Sequence, residues 1–249
     1  GLAGTEYHDR ILDAQVGSFK SAMEAGTLLG AGSQDGGLLN TMILYVTAFM
    51  EVKSSMGVIV AAPTAGACAT LPAACLAAAH HLAGIPAGSR ITSKSEKEEA
   101  AKAMLAAGLI GVFIAAHSTF AAEVCGCQAE TGAGAGMAAA ALAQLAGGSV
   151  EQSLAASSMA LQNTLGLICD PVANRVEVPC LGRNVLGASN ALTSANMALA
   201  GFDPVIPLDE VIHTMDAVGK SLPHSLRCTA LGGLAVTPTS KRIEEELNA

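Results

Sequence analysis

Apolar positions recur at three-to-four spacing along almost the whole chain, and that period is the helical one. The pattern predicts a first helix over 6–29, stopping near Gly30-Ala31-Gly32, and a second over 37–54. Ala62-Pro63-Thr64-Ala65-Gly66 reads as a loop, followed by a helix over 71–83 and a turn over 84–88. Ser93, with acids close behind it, is an N-cap for a helix running to about residue 116. An Ala-rich helix over 134–146 stops at Gly147-Gly148, and Ser149 opens another over 150–165. The stretch 166–183 is irregular, and helices resume over 184–200, 208–219 and 239–248. No run of alternating residues is long enough for a sheet, and no internal repeat of fixed period occurs. The expected fold is all-α: a single compact helical domain over 1–249 with an irregular cysteine-bearing loop region.

Composition sharpens this picture. Only 14% of residues are charged while 51% are hydrophobic, and Trp is absent. Ala and Gly stand in for aromatics, which suits helices packed closely through small side chains and a surface partly covered by a partner. A net charge of −8 without a basic stripe argues against nucleic acid. Residues 58–79 are apolar but interrupted by Pro63, Gly66 and Pro72, and 103–116 is too short to cross roughly 30 Å of hydrocarbon. Neither is expected to enter a membrane. Seven cysteines in a chain of this length read as reduced thiols, so the expected location is cytoplasmic.

Three of those thiols sit in distinctive strings: Cys127 in Gly-Cys-Gln-Ala-Glu, Cys169 in Leu-Ile-Cys-Asp-Pro, Cys180 in Val-Glu-Val-Pro-Cys. Proline beside Cys169 and Cys180 restricts the backbone and favours a rigid turn over a helix interior. Their spacing, 42 and then 11 positions, is neither a ferredoxin run nor a zinc-finger pattern. Spacing alone therefore leaves buried structural cysteines open as a reading. Cys68 and Cys75 lie in apolar surroundings and read as small core residues. Gly132 to Gly136 lacks the preceding strand that a dinucleotide fingerprint needs, and serves close helix packing or an anion at a helix N-terminus. Among the histidines, His117 ends an apolar helix ten residues before Cys127 and is the candidate catalytic or orienting side chain. His224 is a weaker candidate; His8, His80, His81 and His213 read as fillers.

At these strings the chain resembles the α subunit, or α domain, of bacterial iron–sulfur L-serine dehydratases. The resemblance rests on Ser55 to Gly66, Gly126 to Glu130, Gly136 to Ala140, Leu165 to Val172, Val176 to Cys180, Arg183-Asn184, Met197 to Gly201 and Gly232 to Ala235, in the family's order. It implies a [4Fe–4S] cluster held by Cys127, Cys169 and Cys180, substrate contacts at Thr64, Ala65 and Gly66, and an oxygen-sensitive lyase. It also implies a β subunit or domain bearing a Ser-Ser-His-Thr type motif that this chain lacks, beside homo-oligomer contacts. The chain departs from the family at His117 to Ala122, at Asn174-Arg175, at Arg227-Cys228-Thr229 and at Gly32 to Gly37.

The resulting expectation is dehydration of a small hydroxy acid, by default L-serine to pyruvate and ammonia. An open cluster iron acts as Lewis acid and His117, or a partner group, as base. Arg175 would read a second carboxylate and favour a dicarboxylic hydroxy acid. A cysteine desulfidase and a non-catalytic iron–sulfur protein are the other readings. Ligands of one cubane should bring their sulfurs to about 6–7 Å of each other, and Cys228 is a candidate for the open iron.

Overall fold

Two serines set the frame of the helical bundle. In the computed structural model, which describes residues 1–6, 11–30, 37–90 and 92–249, Ser93 and Ser149 each complete a capping box. Ser93 Oγ accepts from Glu96 N at 3.1 Å and Ser149 Oγ from Gln152 N at 3.2 Å, while the Glu96 and Gln152 side chains return to the capping backbone. These caps satisfy N–H groups that a helix start otherwise leaves unpaired.

Among the described residues there are ten α-helices and no β-strand. They are α1 (Val16–Glu24), α2 (Leu38–Ser54), α3 (Thr70–Ala83), α4 (Lys94–His117), α5 (Ala122–Cys125), α6 (Ala133–Leu145), α7 (Val150–Gln162), α8 (Cys180–Leu199), α9 (Leu208–Ser221) and α10 (Pro238–Leu247). The all-α expectation is met. The helix expected over 6–29 is shorter: α1 starts only at Val16. Its start is set by the buried Glu51 of α2, whose Oε1 accepts from the backbone N of Gln15 and Val16. Residues 7–10, with His8, and all of the departure at Gly32 to Gly37 except Gly37 lie outside the described residues.

The centre is α6, buried on every side from Ala133 to Ala143 and packed against α3, α4, α7 and α8. Only small side chains permit this. A Cβ on Gly136 would come within 3.0 Å of Leu161, and one on Gly111 within 3.0 Å of Met137. Helix α4 is the one described helix long and apolar enough to cross a membrane, longer than the apolar run 103–116. It turns Ala103, Ala107, Ile110, Gly111 and Ile114 into the protein and leaves Leu105, Leu109 and Val112 exposed.

A correction concerns α8. The irregular region was expected to reach 183, yet the helix begins at Cys180, so this thiol stands on a first helical turn. Pro179 at the N-cap accounts for it, since proline is tolerated where no intrahelical N–H is needed.

Candidate functional site

Cys127 is placed by Gln128, whose side chain is fully buried. Its Nε2 donates to Met215 O at 2.8 Å, its Oε1 accepts from Gly166 N at 2.9 Å, and its backbone N donates to Leu167 O at 3.0 Å. One side chain thus ties the Cys127 turn to α9 and to the 165–167 loop. Residues Gln128–Gly132 form a π-helical turn running into α6. Gly126 before it has φ +71°, and a Cβ there would lie 2.8 Å from Leu167 O, so only glycine suits the position.

Cys169 lies on the chain's isolated parallel bridge: its N donates to Leu226 O at 2.9 Å and its O accepts from Cys228 N at 2.8 Å. That pairing lays residues 226–228 alongside it and brings the Cys228 thiol beside the Cys169 thiol, whose pKa it helps to raise. Asp170, 2% exposed, pairs with Arg183 Nη2 at 2.6 Å and accepts from Leu234 N at 2.7 Å.

The fully buried Asn184 joins the remaining parts. Its Oδ1 accepts from the N of Ala69 (3.2 Å), the N of Thr70 (3.1 Å) and Thr70 Oγ1 (3.0 Å), capping α3 from a different helix. Its Nδ2 donates to Gly66 O at 2.9 Å and to Cys180 O at 2.8 Å. The 62–66 loop is thereby fixed against the turn that carries Cys180.

The chemical groups then converge. Cys127 Sγ, a Glu130 carboxylate oxygen and Cys169 Sγ lie within 4.8 Å of one another, a spacing that admits a metal. A Cβ on Gly66 would stand 2.8 Å from both Glu130 oxygens, so the carboxyl rests on the loop backbone. Burial pushes the Glu130 carboxyl up, opposed by the Thr64 hydroxyl and the charge of Lys53. The hydrogen bond from Cys169, aided by Thr131 and Arg183, holds Cys127 down to about 7 against its burial. The thiol donating that bond, Cys169, is pushed up. Burial first, then the charge of Cys127, pushes Cys180 up to about 12. Burial works against the Arg183 proton, but Asp170 and the charges of Cys127 and Cys180 hold it more tightly. Arg183 Nη1 is buried without a hydrogen-bond partner, which is costly unless an anion meets it.

The expected site residues are placed as follows. Cys127 and Cys169 meet at closer range than the spacing about a cubane, and Cys180 stands within reach of the charge of Cys127. Thr64 and Gly66 border Glu130, while Ala65 is exposed. Arg175 is half-buried after the 172–174 turn, engaged within the fold. His117 is exposed at the end of α4, its ring centroid 5.2 Å from that of His213, in a groove of about 690 Å³ walled by α4, α7 and α9. None of the cysteines lines that groove. Cys68 and Cys75 are buried in the core. Reasoning from sequence missed Glu130, Arg183 and Asn184 as site residues, although all three lie inside the quoted strings; nothing marked Lys53.

Residues 4–235 match the family model described as serine dehydratase alpha chain. A probable L-serine dehydratase alpha chain of Bacillus subtilis is 41% identical over 86% of this chain and 68% of its own length. Its counterpart in Latilactobacillus sakei is 45% identical over 79% and 89% respectively. An L-serine dehydratase of Helicobacter pylori is 39% identical over 80% of this chain but only 42% of its own length. With the family model spanning most of the chain and identities of this order, the chain belongs to the serine dehydratase alpha chain family.

Proposed function

We propose that this chain is the α part of an iron–sulfur L-serine dehydratase, holding a [4Fe–4S] cluster through Cys127, Cys169 and Cys180. The observation that carries the reading is the convergence of Cys127, Glu130 and Cys169 beside Arg183, whose buried Nη1 has no partner among the described residues. Thiolates on iron are anionic, and an unpaired guanidinium nitrogen beside them suits that donor set. When bound, the cluster supplies one iron without a protein ligand, a Lewis acid for the substrate hydroxyl. Accepting it requires the Cys127 and Cys169 thiols, now within 4.8 Å of each other, to move apart toward the spacing of about 6–7 Å expected of cubane ligands.

The chain's own groups divide the remaining tasks. Glu130 meets the α-ammonium of serine against the 62–66 backbone. Lys53, whose charge reaches both Glu130 and Cys180, meets the carboxylate. Arg183 stays locked on Asp170 and holds the thiolates. His117 lines a groove without cysteines, so the base that takes the Cα proton is assigned to a partner chain. A partner is supported by the alpha-chain names of the relatives and by the long unmatched part of the Helicobacter protein.

The test is anaerobic reconstitution with iron and sulfide. The expected result is a broad band near about 400 nm that bleaches in air, together with serine-dependent pyruvate formation once the partner is added. Cys127→Ser, Cys169→Ser and Cys180→Ser should each lose both. Full activity without iron would overturn the reading.

A further inference from the structure

A second cavity, of about 830 Å³, lies between α2, α3 and the 58–62 segment. Its wall is mostly apolar, from Phe49, Val52, Leu71, Leu76 and Met104. Set among them are His80, 4% exposed, and Arg90, which is exposed at the rim. His80 Nε2 is buried and meets no partner among the described residues.

The surrounding hydrogen bonds settle what that nitrogen carries. Gly88 N donates to Tyr45 Oη at 2.7 Å, and Tyr45 Oη lies 2.7 Å from His80 Nδ1. Tyrosine has one proton. If His80 Nδ1 donated, the tyrosine oxygen would accept twice and its own proton would lack an acceptor. Both contacts are satisfied when Tyr45 accepts from Gly88 and donates to Nδ1. The ring proton then sits on Nε2, and a neutral His80 agrees with the lowering of its pKa by burial. Nε2–H is thus a buried donor without an acceptor, a costly arrangement in a fold that satisfies its polar groups.

The polar wall therefore offers a hydrogen-bond donor and a cation, surrounded by hydrocarbon. Glu96, the acid whose charge reaches His80, is turned to the Ser93 backbone in the α4 cap. We propose that this cavity binds an aliphatic carboxylate, its head on His80 Nε2–H and Arg90 and its tail among Phe49, Leu71, Leu76 and Met104. The volume lies within the range of small-molecule sites. The site stands apart from the cysteines, although Ala62 and Cys68 in its wall adjoin the 62–66 loop.

The probe is octanoate, titrated by calorimetry into the full-length chain together with its partner chain, with 1-octanol as the uncharged comparison. The expected result is saturable binding of one octanoate per chain, weakened at least about tenfold by His80→Phe and by the cavity-filling Leu76→Trp. Far-UV circular dichroism establishes that each variant is folded. Arg90→Ala, at an exposed position, should weaken octanoate and leave octanol unchanged. Absence of saturable binding to the parent protein overturns the proposal. So does parental affinity in folded His80→Phe or Leu76→Trp, and so does an Arg90→Ala effect equal for both probes.

Discussion

Asn184→Ala removes the side chain that caps α3 and holds the 62–66 loop to α8 at once. The magnitude follows from the groups left behind. Backbone N–H groups of Ala69 and Thr70 lose their acceptor inside the protein, and Gly66 O loses its donor. Thr70 Oγ1 keeps a contact with Asn184 O at 3.3 Å, so it is less affected. Each buried unsatisfied group costs about 1–3 kcal/mol, and the losses are not additive, which gives about 3–5 kcal/mol in total. That is a large share of an ordinary stability of about 5–15 kcal/mol. Asn184→Asp retains the acceptor for Ala69 and Thr70 but sets a carboxylate oxygen against Gly66 O and Cys180 O in a buried site, so it should cost at least as much. Urea unfolding followed by far-UV circular dichroism measures both, the chain having no Trp to report by fluorescence. A loss below about 1 kcal/mol for Asn184→Ala would refute the capping argument.

Gly233→Ala should be costly: φ is +61° and the new Cβ would run into the Asp170 carboxylate, so a fall in stability and in iron retention is expected. Cys228, at φ +60° and paired through its backbone with Cys169, would be placed to meet the open iron of the proposed cluster. Cys228→Ser should shift the substrate-free spectrum of the reconstituted protein and leave the substrate-bound one unchanged; identical spectra dispose of the idea. Arg175→Leu should weaken a dicarboxylic hydroxy acid far more than serine in competition assays, and equal losses indicate a structural role. Burial holds the His80 pKa below its ordinary 6.5, so the unfolded chain takes up the proton first as pH falls. The stability tied to neutral His80 is complete above about 6.5 and is lost below it. Unfolding midpoints at about pH 7.5 and 5.5 should therefore differ more in the parent than in His80→Phe.

Helix starts were legible wherever a cap was written in side chains. Ser93 and Ser149 are followed three positions later by Glu96 and Gln152, and both helices begin there. The start of α1 was not legible, because its cap is Glu51, far along the sequence. The start of α3 was expected within one residue of Thr70, although its cap, Asn184 on α8, is equally remote in sequence. The start of α8 was obscured by Pro179 and Gly182, both read as loop residues. In the site, the cysteines stood out by their strings, whereas Lys53 acts purely through position at the end of α2. His117 was chosen by nearness in sequence to Cys127, but α5 and the chain turn between them direct it to another groove.

The alanine and glycine spine of α6 gives the cysteine site two unlike jaws. Cys127 is set at the foot of that spine, where neighbouring helices are in direct contact and leave no room for sliding. Cys169 and Cys228 ride on loop segments held by one bridge, a few hydrogen bonds and the Asp170–Arg183 pair. Opening the site for iron must therefore be one-sided: the loop jaw swings while the helical jaw stays in register. Hydrogen exchange should find this asymmetry, with fast amides over 163–179 and 222–237 and slow ones along α6. Loss of the proposed cluster would then slacken one edge of the molecule and leave its helical centre intact.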